Sequence, residues 1–578
     1  MGVRQMSNSE IAQFFKELAD YLEIKGDNPF RIRAYRNAAR TIETSGYDFA
    51  KLVEEGYDLS QLPDIGERIA KKIVEIVTTG KLSKLEEVKK EFPPHILDLL
   101  KIEGLGPKKV KTLYEKLGIG SLEELKKAAE EHKIRELPGF GEKTEEKILK
   151  GVVLYKKEGK RFLFAEAEPY ASELYEYLKG FKAIHQLTIA GSFRRRKETV
   201  GDLDIVSTSD DPLGAMDHFA SYGKIKEIVS KGDTRSTIIL ENNLQVDFRC
   251  VSDLSYGAAL HYFTGSKAHN IAVRKMAVEK GWKVNEYGVF NEKMERIAGK
   301  TEEEIYRLFG MDYIEPELRE DRGELEAAME GKLPKLVTAK ELRGDWHLRT
   351  HYGDGEAEPE ELAEKALELG YTHLCFADKA SYLFCEHGRE CPPVSEYLER
   401  LDALQKKYPK LRIIKGIEVE IEEDGSLAYD TKELEPFDLV IAAVEEEYEL
   451  SKEKQTERLL KAISHPQVRI LAHPTCRIIA QRNGCSLDIE KVIDTAAKEG
   501  VWLEIDARPD RLDLSDVHLK AARDSGAHFV LGSVAAKPEE MENIRYGLNQ
   551  ARRGWLEAKH LVNTLEVSEI DKFLKAKK

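Results

Sequence analysis

A short glycine turn returns three times near the start of the chain, as Leu62-Pro63-Asp64-Ile65-Gly66, Ile102-Glu103-Gly104-Leu105-Gly106 and Leu137-Pro138-Gly139-Phe140-Gly141. The final glycines are 40 and then 35 residues apart, the spacing of a repeated helical unit. Around the turns, residues 8 to 150 read as successive short amphipathic helices. Each turn opens a helix with a basic start: Arg68, Lys71 and Lys72; Lys108 and Lys109; Lys143 and Lys147. Glycine lets helices cross closely and lets another backbone come near. Free amides at a helix start favour phosphate, and lysines add charge without sequence preference. A lone glycine after a helix is usually only a C-cap, so it is the repetition that carries weight.

These turns resemble the helix-hairpin-helix motif, which implies DNA-backbone contact through Gly66, Arg68, Gly104, Gly106, Lys108, Gly139, Gly141 and Lys143. The segment Asn28-Pro29-Phe30-Arg31-Ile32-Arg33-Ala34-Tyr35-Arg36 sets alternating arginines around an aromatic. By itself it reads as a solvated helix face. With the hairpins that follow, residues 8 to 90 resemble the N-terminal lyase-type domain of family X DNA polymerases. In that family a lysine in the helix after the first hairpin forms a Schiff base with an abasic sugar, and Lys72 falls at that place. Its cationic neighbours Arg68 and Lys71 favour a neutral, nucleophilic amine. The other reading, a phosphate-binding lysine, stays open.

The formal net charge of −15 argues against a polyanion partner for the chain as a whole. Residues 1 to 150, however, hold 27 Lys/Arg against 27 Asp/Glu, so the acidic excess lies downstream and local basic faces survive. Hydrophobic content of 41% beside 34% charged residues excludes disordered, collagenous and membrane classes. The 578 residues call for several domains. With no long apolar run and no signal-like start, a cytoplasmic, nucleoid-associated protein is expected. Six cysteines without a C-x-x-C pair read as reduced thiols. Cys385, Glu386, His387 and Cys391 form a tight set that suits a small metal site or an irregular loop.

Between Thr188 and Val206 a strand pattern breaks at Gly191-Ser192-Phe193-Arg194-Arg195 and resumes at Gly201-Asp202-Leu203-Asp204-Ile205-Val206. Spacing by two puts Asp202 and Asp204 on one strand face. Asp247 sits in the alternating segment Leu244-Gln245-Val246-Asp247-Phe248-Arg249. Three acids on neighbouring strands suit two Mg²⁺ ions, which are hard and take oxygen ligands, and a Gly-Ser-Arg turn suits phosphate. That constellation points to nucleotidyl transfer. Tyr262-Phe263-Thr264-Gly265-Ser266, Asn270, Arg274 and Gly281-Trp282-Lys283-Val284-Asn285-Glu286-Tyr287-Gly288 follow.

Together these motifs resemble the palm and thumb of family X DNA polymerases over residues 155 to 320. The resemblance implies metal binding and catalysis by Asp202, Asp204 and Asp247, and triphosphate contacts by Gly191, Ser192, Arg195 and Gly201. It places Tyr262, Phe263, Gly265 and Asn270 at the incoming nucleotide and Arg274 toward the template minor groove. One departure is Gln245, where the family often has arginine two residues before the third aspartate. The bland reading of Tyr262 and Phe263 is core packing.

Beyond a polar stretch from Glu315 to Gly344, read as a linker, strands and helices alternate as in a (β/α) barrel. The segment endings Asp345-Trp346-His347-Leu348-Arg349, Phe376-Ala377-Asp378-Lys379, Lys415-Gly416-Ile417-Glu418, Ala443-Val444-Glu445, Ala472-His473-Pro474 and Gly532-Ser533-Val534-Ala535-Ala536 resemble the polymerase and histidinol phosphatase domain of bacterial and archaeal family X polymerases. There a trinuclear cluster serves 3′–5′ exonuclease and 3′-phosphatase chemistry. Here His347, Asp354, Glu418 and His473 remain, while Arg349, Lys379, Glu445, Val534 and Ala536 stand where the family has other ligands. Charged Arg and Lys cannot ligate. The expectation is a folded barrel whose ion pairs replace the metal charge, with no metal cluster; the competing view is one remnant site on His347, His473 and a carboxylate.

The expected fold is multidomain: an all-α helix-hairpin-helix N-terminal region, an α+β nucleotidyltransferase palm with thumb, and a C-terminal (β/α) barrel. The expected boundaries are 1–90, 91–154, 155–250, 251–318, a linker at 319–343, and 344–578. The expected activity is template-directed filling of short gaps in DNA repair, using Mg²⁺ or Mn²⁺ in the palm, gapped or primer-template DNA, dNTPs and other repair proteins, with no membrane. The alternatives are a polymerase with residual exonuclease or phosphatase activity, a template-independent nucleotidyltransferase, and a DNA-binding scaffold.

Overall fold

A computed structural model describes residues 8–44, 49–62, 65–102, 105–142, 144–145, 148–149, 161–384, 393–482 and 484–575. Gly104, Lys143 and Lys147 lie outside the described residues, as do Cys385, Glu386, His387 and Cys391. The chain divides into two compact units, Met1–Lys160 and Arg161–Lys578.

The first unit is helical, with Asn8–Lys25, Pro29–Thr44, Glu67–Thr79, Pro107–Leu117 and Leu122–Glu130 as its longer helices. Their apolar stripes meet in one core that includes Phe15, Ile73, Val110 and Leu125. The three glycine turns share one backbone pattern. Ile65, Leu105 and Phe140 each donate to the carbonyl three residues before them. Ile69, Lys109 and Thr144 each donate to the carbonyl of the closing glycine, Gly66, Gly106 and Gly141, at 2.8, 2.9 and 2.9 Å. A Cβ added at any of these glycines would meet nothing within 4 Å. Among the described residues the space beside each closing glycine is open.

The second unit begins with a five-stranded sheet. Its strands are β1 (Ile184–Ile189), β2 (Asp202–Ser209), β3 (Ile225–Lys231), β4 (Arg235–Leu240) and β5 (Gln245–Cys250), in spatial order β1-β2-β5-β4-β3. Strands β2 and β5 are parallel and the other neighbours antiparallel. Period-two alternation sends Leu203, Ile205, Val246 and Phe248 into the core beneath helices Phe164–Lys179 and Pro212–Ala220. Asp202, Asp204 and Asp247 are thereby turned to the opposite face. Helices Tyr256–Thr264 and Lys267–Glu279, a small sheet (Lys283–Asn285, Gly288–Phe290, Arg296–Ala298) and helix Glu302–Leu308 follow.

Residues 319–343, read from sequence as a linker, are folded into this unit. Glu324–Met329 is helical, and Arg319 and Glu324 are fully buried. Their charges are met by partners that a local reading does not see: Arg319 by Glu302, and Glu324 by His269.

Seven parallel strands come next: β6 (Gly344–Leu348), β7 (His373–Phe376), β8 (Arg412–Glu420), β9 (Leu439–Ala443), β10 (Val468–Leu471), β11 (Trp502–Asp506) and β12 (Phe529–Gly532). They pair in sequence order, and a parallel bridge between Leu348 and Ala535 joins the two ends, leaving a nearly closed barrel with helices outside. Trp346, Cys375, Ile414, Ile441 and Val530 pack together in one buried cluster. Phe573, from the last helix (Val567–Lys575), stacks on Trp502 of that cluster at 3.6 Å. Polar side chains gather toward the C-terminal ends of the strands, the usual place for function in such barrels.

Candidate active site: a palm cleft and the mouth of a barrel

In register, Asp204 lies beside Asp247 and Asp202 beside Gln245, across the parallel pair β2–β5. This register brings the three sequence-predicted aspartates to one patch. Asp247 is buried and accepts from Thr237 Oγ1 at 2.5 Å, Gln245 Nε2 at 3.3 Å and Arg235 Nη2 at 3.4 Å. Arg249 lies between two of the acids, with Nη1 2.9 Å from Asp204 and Nη2 4.0 Å from Asp247. Burial, then the charges of Asp202 and Asp247, outweigh Arg249 and push the Asp204 carboxyl up to about 6. Desolvation and Asp247 likewise raise Asp202. The patch is a set of hard oxygen donors short of positive charge, which is what a divalent cation relieves.

The turn at Gly191–Arg194 rises directly above. The Ala190 amide donates to the Asp204 carbonyl at 2.6 Å. Gly191 has φ +64, and a Cβ there would come within 3.1 Å of Asp204 Oδ2. Glycine at this position lets the turn and the carboxylate touch. Gly191, Ser192, Arg195, Asp202, Asp204, Tyr262, Phe263, Gly265, Asn270 and Arg274 line one cleft. Gly201 and Asp247 are not among its lining residues. Tyr262 and Phe263 are half-buried in an edge-on pair at 5.0 Å, so core packing and exposure to the cleft both hold for them. Arg249 stacks over Phe263 and Arg274 over Tyr262, at 4.1 and 5.5 Å to the ring centres. Asn270 Nδ2 donates to the Tyr262 carbonyl at 2.8 Å, while its buried Oδ1 has no hydrogen-bond partner.

Sequence reasoning missed Arg161, Lys197 and Lys267, which add cations to the cleft wall, and Arg249. Only Arg249 carried a local signal, being one alternation beyond Asp247. Arg195 lines the cleft but is held from behind: Nε donates to Glu320 Oε1 at 3.0 Å and Nη1 to the Thr264 carbonyl at 2.5 Å.

At the barrel mouth Arg349 and Lys379 pair with neighbouring acids. Arg349 reaches Asp354 at 2.5 Å and Glu418 at 2.8 Å, and Lys379 reaches Glu445 at 2.6 Å. His347 is buried between Glu418 at 2.7 Å and Glu504 at 2.6 Å. Glu504 and the Arg508–Asp506 pair were not visible in the sequence pattern. Among the described residues, only Glu418, Glu445 and His473 have donor atoms all within 4.8 Å of one another. Glu418 Oε1 and His473 Nδ1 are buried without hydrogen-bond partners, and His473 Nε2 lies 3.2 Å from Glu445 Oε1. This trio fits a single cation; a multinuclear cluster does not fit with Arg349 and Lys379 among the acids and Val534 and Ala536 at the last strand's end.

Four family models match the chain. They are a helix-hairpin-helix domain over residues 6–82, a SAM-like helix-hairpin-helix tandem over 96–152, the DNA polymerase beta thumb over 259–320 and the PHP domain over 345–572. DNA polymerase/3′-5′ exonuclease PolX of Bacillus subtilis (strain 168) is 36% identical over 575 residues, 99% of this chain and 100% of that protein. DNA polymerase lambda of Rattus norvegicus is 26% identical over 345 residues, 54% of this chain and 56% of that protein. A probable phosphatase of Thermoanaerobacter sp. (strain X514) is 28% identical over 230 residues, 38% of this chain and 88% of that protein. The chain belongs to the bacterial family X DNA polymerases that carry a C-terminal PHP domain. No helix among the described residues is long and apolar enough to cross a membrane.

Proposed function

We propose that the chain is a template-directed DNA polymerase that fills short gaps during DNA repair, with Asp202, Asp204 and Asp247 holding two Mg²⁺ ions. The observation that carries this reading is Asp204 and Asp247 side by side on adjacent strands, under a Gly-Ser-Arg turn and across a cleft from Tyr262 and Phe263. Bound there, the metal would supply the charge that eases deprotonation of a primer 3′-hydroxyl and offsets a triphosphate. Ser192 can donate its hydroxyl, and Arg161, Arg195, Lys197 and Lys267 face the cleft as cations suited to phosphate. Tyr262 and Phe263 offer flat apolar surface to sugar and base, with Gly265 keeping the wall low. Asn270 Oδ1 is an unused acceptor in that wall. The open glycine turns of the first unit suit contact with the DNA backbone that is blind to sequence.

Offering the four dNTPs singly on a one-nucleotide gap, against each templating base in turn, tests the reading. Incorporation should follow the template base; incorporation indifferent to it would mean a template-independent transferase.

Two roles remain open to Lys72, half-buried beside exposed Arg68 and Lys71. Borohydride trapping on DNA with an incised abasic site separates them: a covalent adduct lost in Lys72→Ala marks a lyase, and its absence a phosphate contact.

The barrel is read as non-hydrolytic, its metal charge replaced by Arg349, Lys379 and the His347 imidazolium. A second reading, favoured by the unpartnered donors of Glu418 and His473, is one cation on Glu418, Glu445 and His473. Elemental analysis of the full chain decides: below one equivalent of Zn or Mn supports the first, one equivalent lost in His473→Ala the second, and more than one contradicts both.

A further inference from the structure

Three arginines in a row, Arg194, Arg195 and Arg196, leave the turn that faces the proposed triphosphate site, and each runs back into the protein. Arg194 pairs with Glu302 at 2.7 Å, within the palm and thumb. Arg195 and Arg196 meet the barrel domain. Arg196 Nη1 donates to Asn549 Oδ1 at 3.2 Å. Arg553 donates from Nη1 to the Arg195 carbonyl at 2.7 Å, and from Nη2 to Glu320 at 3.1 Å and Asp516 at 2.6 Å. Glu320 Oε1 is the same oxygen that holds Arg195 Nε. Asn549 and Arg553 belong to one helix, Ile544–Arg553, on the outside of the barrel. The same helix sends Gln550 to Glu198 at 3.2 Å and Arg552 to Glu317 at 2.8 Å, and Tyr546 into the palm core against Phe164.

We infer that this barrel helix is the backing of the triphosphate turn and that Arg553 is a positioning residue for the incoming nucleotide. Arg553 is not among the residues that line the cleft; it acts through Arg195. Its fork holds the Arg195 backbone from one side. On the other it shares the Glu320 carboxylate, so that Glu320 does not neutralise Arg195 alone. With Nε on Glu320 and Nη1 on the Thr264 carbonyl, the plane of the Arg195 guanidinium is fixed in the cleft wall before any phosphate arrives. A barrel with a degraded metal site then has a reason to persist, since without it the turn loses its support. The inference rests on the polymerase reading and names what orients that site.

Single-nucleotide incorporation by the full chain on gapped DNA tests it, with Arg553→Gln, Arg553→Lys and, as a control on a remote exposed pair of the barrel, Lys454→Gln. Arg553→Gln should raise KM for the dNTP about tenfold, with kcat and DNA affinity within about twofold of wild type. Arg553→Lys keeps the charge but not the fork, and should lie between. Lys454→Gln should match wild type. A KM for Arg553→Gln within about twofold of wild type overturns the inference. So does a rise of KM accompanied by a comparable fall of kcat and of DNA affinity, the mark of general loosening. If Arg553→Gln does not fold, Arg553→Lys decides: a raised KM at unchanged kcat supports the inference and an unchanged KM overturns it. A wild-type chain that incorporates nothing by template overturns the polymerase reading and this inference with it; an active wild type with an indifferent Arg553 removes only the inference.

Discussion

Gly191 brings the turn above the palm sheet against Asp204. Its φ of +64 and the 3.1 Å between a Cβ and Asp204 Oδ2 make alanine there doubly unwelcome. Gly191→Ala should cost about 1–2 kcal/mol from the backbone alone and also push Asp204 from its place. Thermal unfolding and nucleotide incorporation should both fall, and unchanged incorporation would refute the role given to the turn. His347 offers a pH test. Burial alone would push its imidazole down, but Glu504 and Glu418 outweigh that and raise it to about 10. The stabilisation is therefore full below the ordinary value of about 6.5 and is lost as pH rises toward about 10. His347→Gln should destabilise by about 3 kcal/mol near pH 6 and by progressively less above about pH 6.5. A gap in melting temperature that does not narrow with rising pH would contradict the imidazolium.

Among the elements, the repeated turns allow stability and binding to be separated. Gly66 and Gly106 cap their helices with extended backbone, φ −76 and −88, and have open space beside them. Serine fits that conformation and caps a helix as well as glycine or better. Gly66→Ser with Gly106→Ser should leave the melting temperature unchanged or slightly raised, yet weaken DNA binding several-fold, equally for all sequences. Retained affinity would mean that the turns do not meet the DNA backbone. The repeat, the Asp202–Asp204 strand and the barrel alternation were legible because each is a local period written in neighbouring residues. The segment 319–343 was not, since its buried polar groups are answered from afar, Arg319 by Glu302 and Glu324 by His269. Lys197 in the cleft and Glu504 in the barrel escaped for the same reason: no spacing in their own segment announces the surface they complete. Arg349 and Lys379 at the barrel's strand ends could be read residue by residue, but their ion pairs with Asp354, Glu418 and Glu445 required the fold.

At the scale of the molecule, the palm and barrel share a charged seam as well as an apolar one. Asp516, half-buried in that seam, is held down at about 2: desolvation opposes this, but Arg553 and Arg322 prevail. Its contribution is present above the usual carboxylate value near 4 and is lost as pH falls through about 2. Asp516→Asn should lower the melting temperature at neutral pH and flatten its acid dependence between about pH 4 and 2. Equal acid slopes in the two proteins would place the acid-sensitive group elsewhere. In the proposed function the palm is the site of synthesis and the barrel its support. A labelled primer on one-nucleotide-gapped DNA, scored for extension and shortening in the same lanes under Mg²⁺ and under Mn²⁺, with Asp202→Ala/Asp204→Ala alongside, tests that division most directly. Extension that follows the template, vanishes in the double variant and is never accompanied by shortening is the result expected. Shortening that survives the palm substitutions would show that the barrel still cuts DNA and would contradict the account.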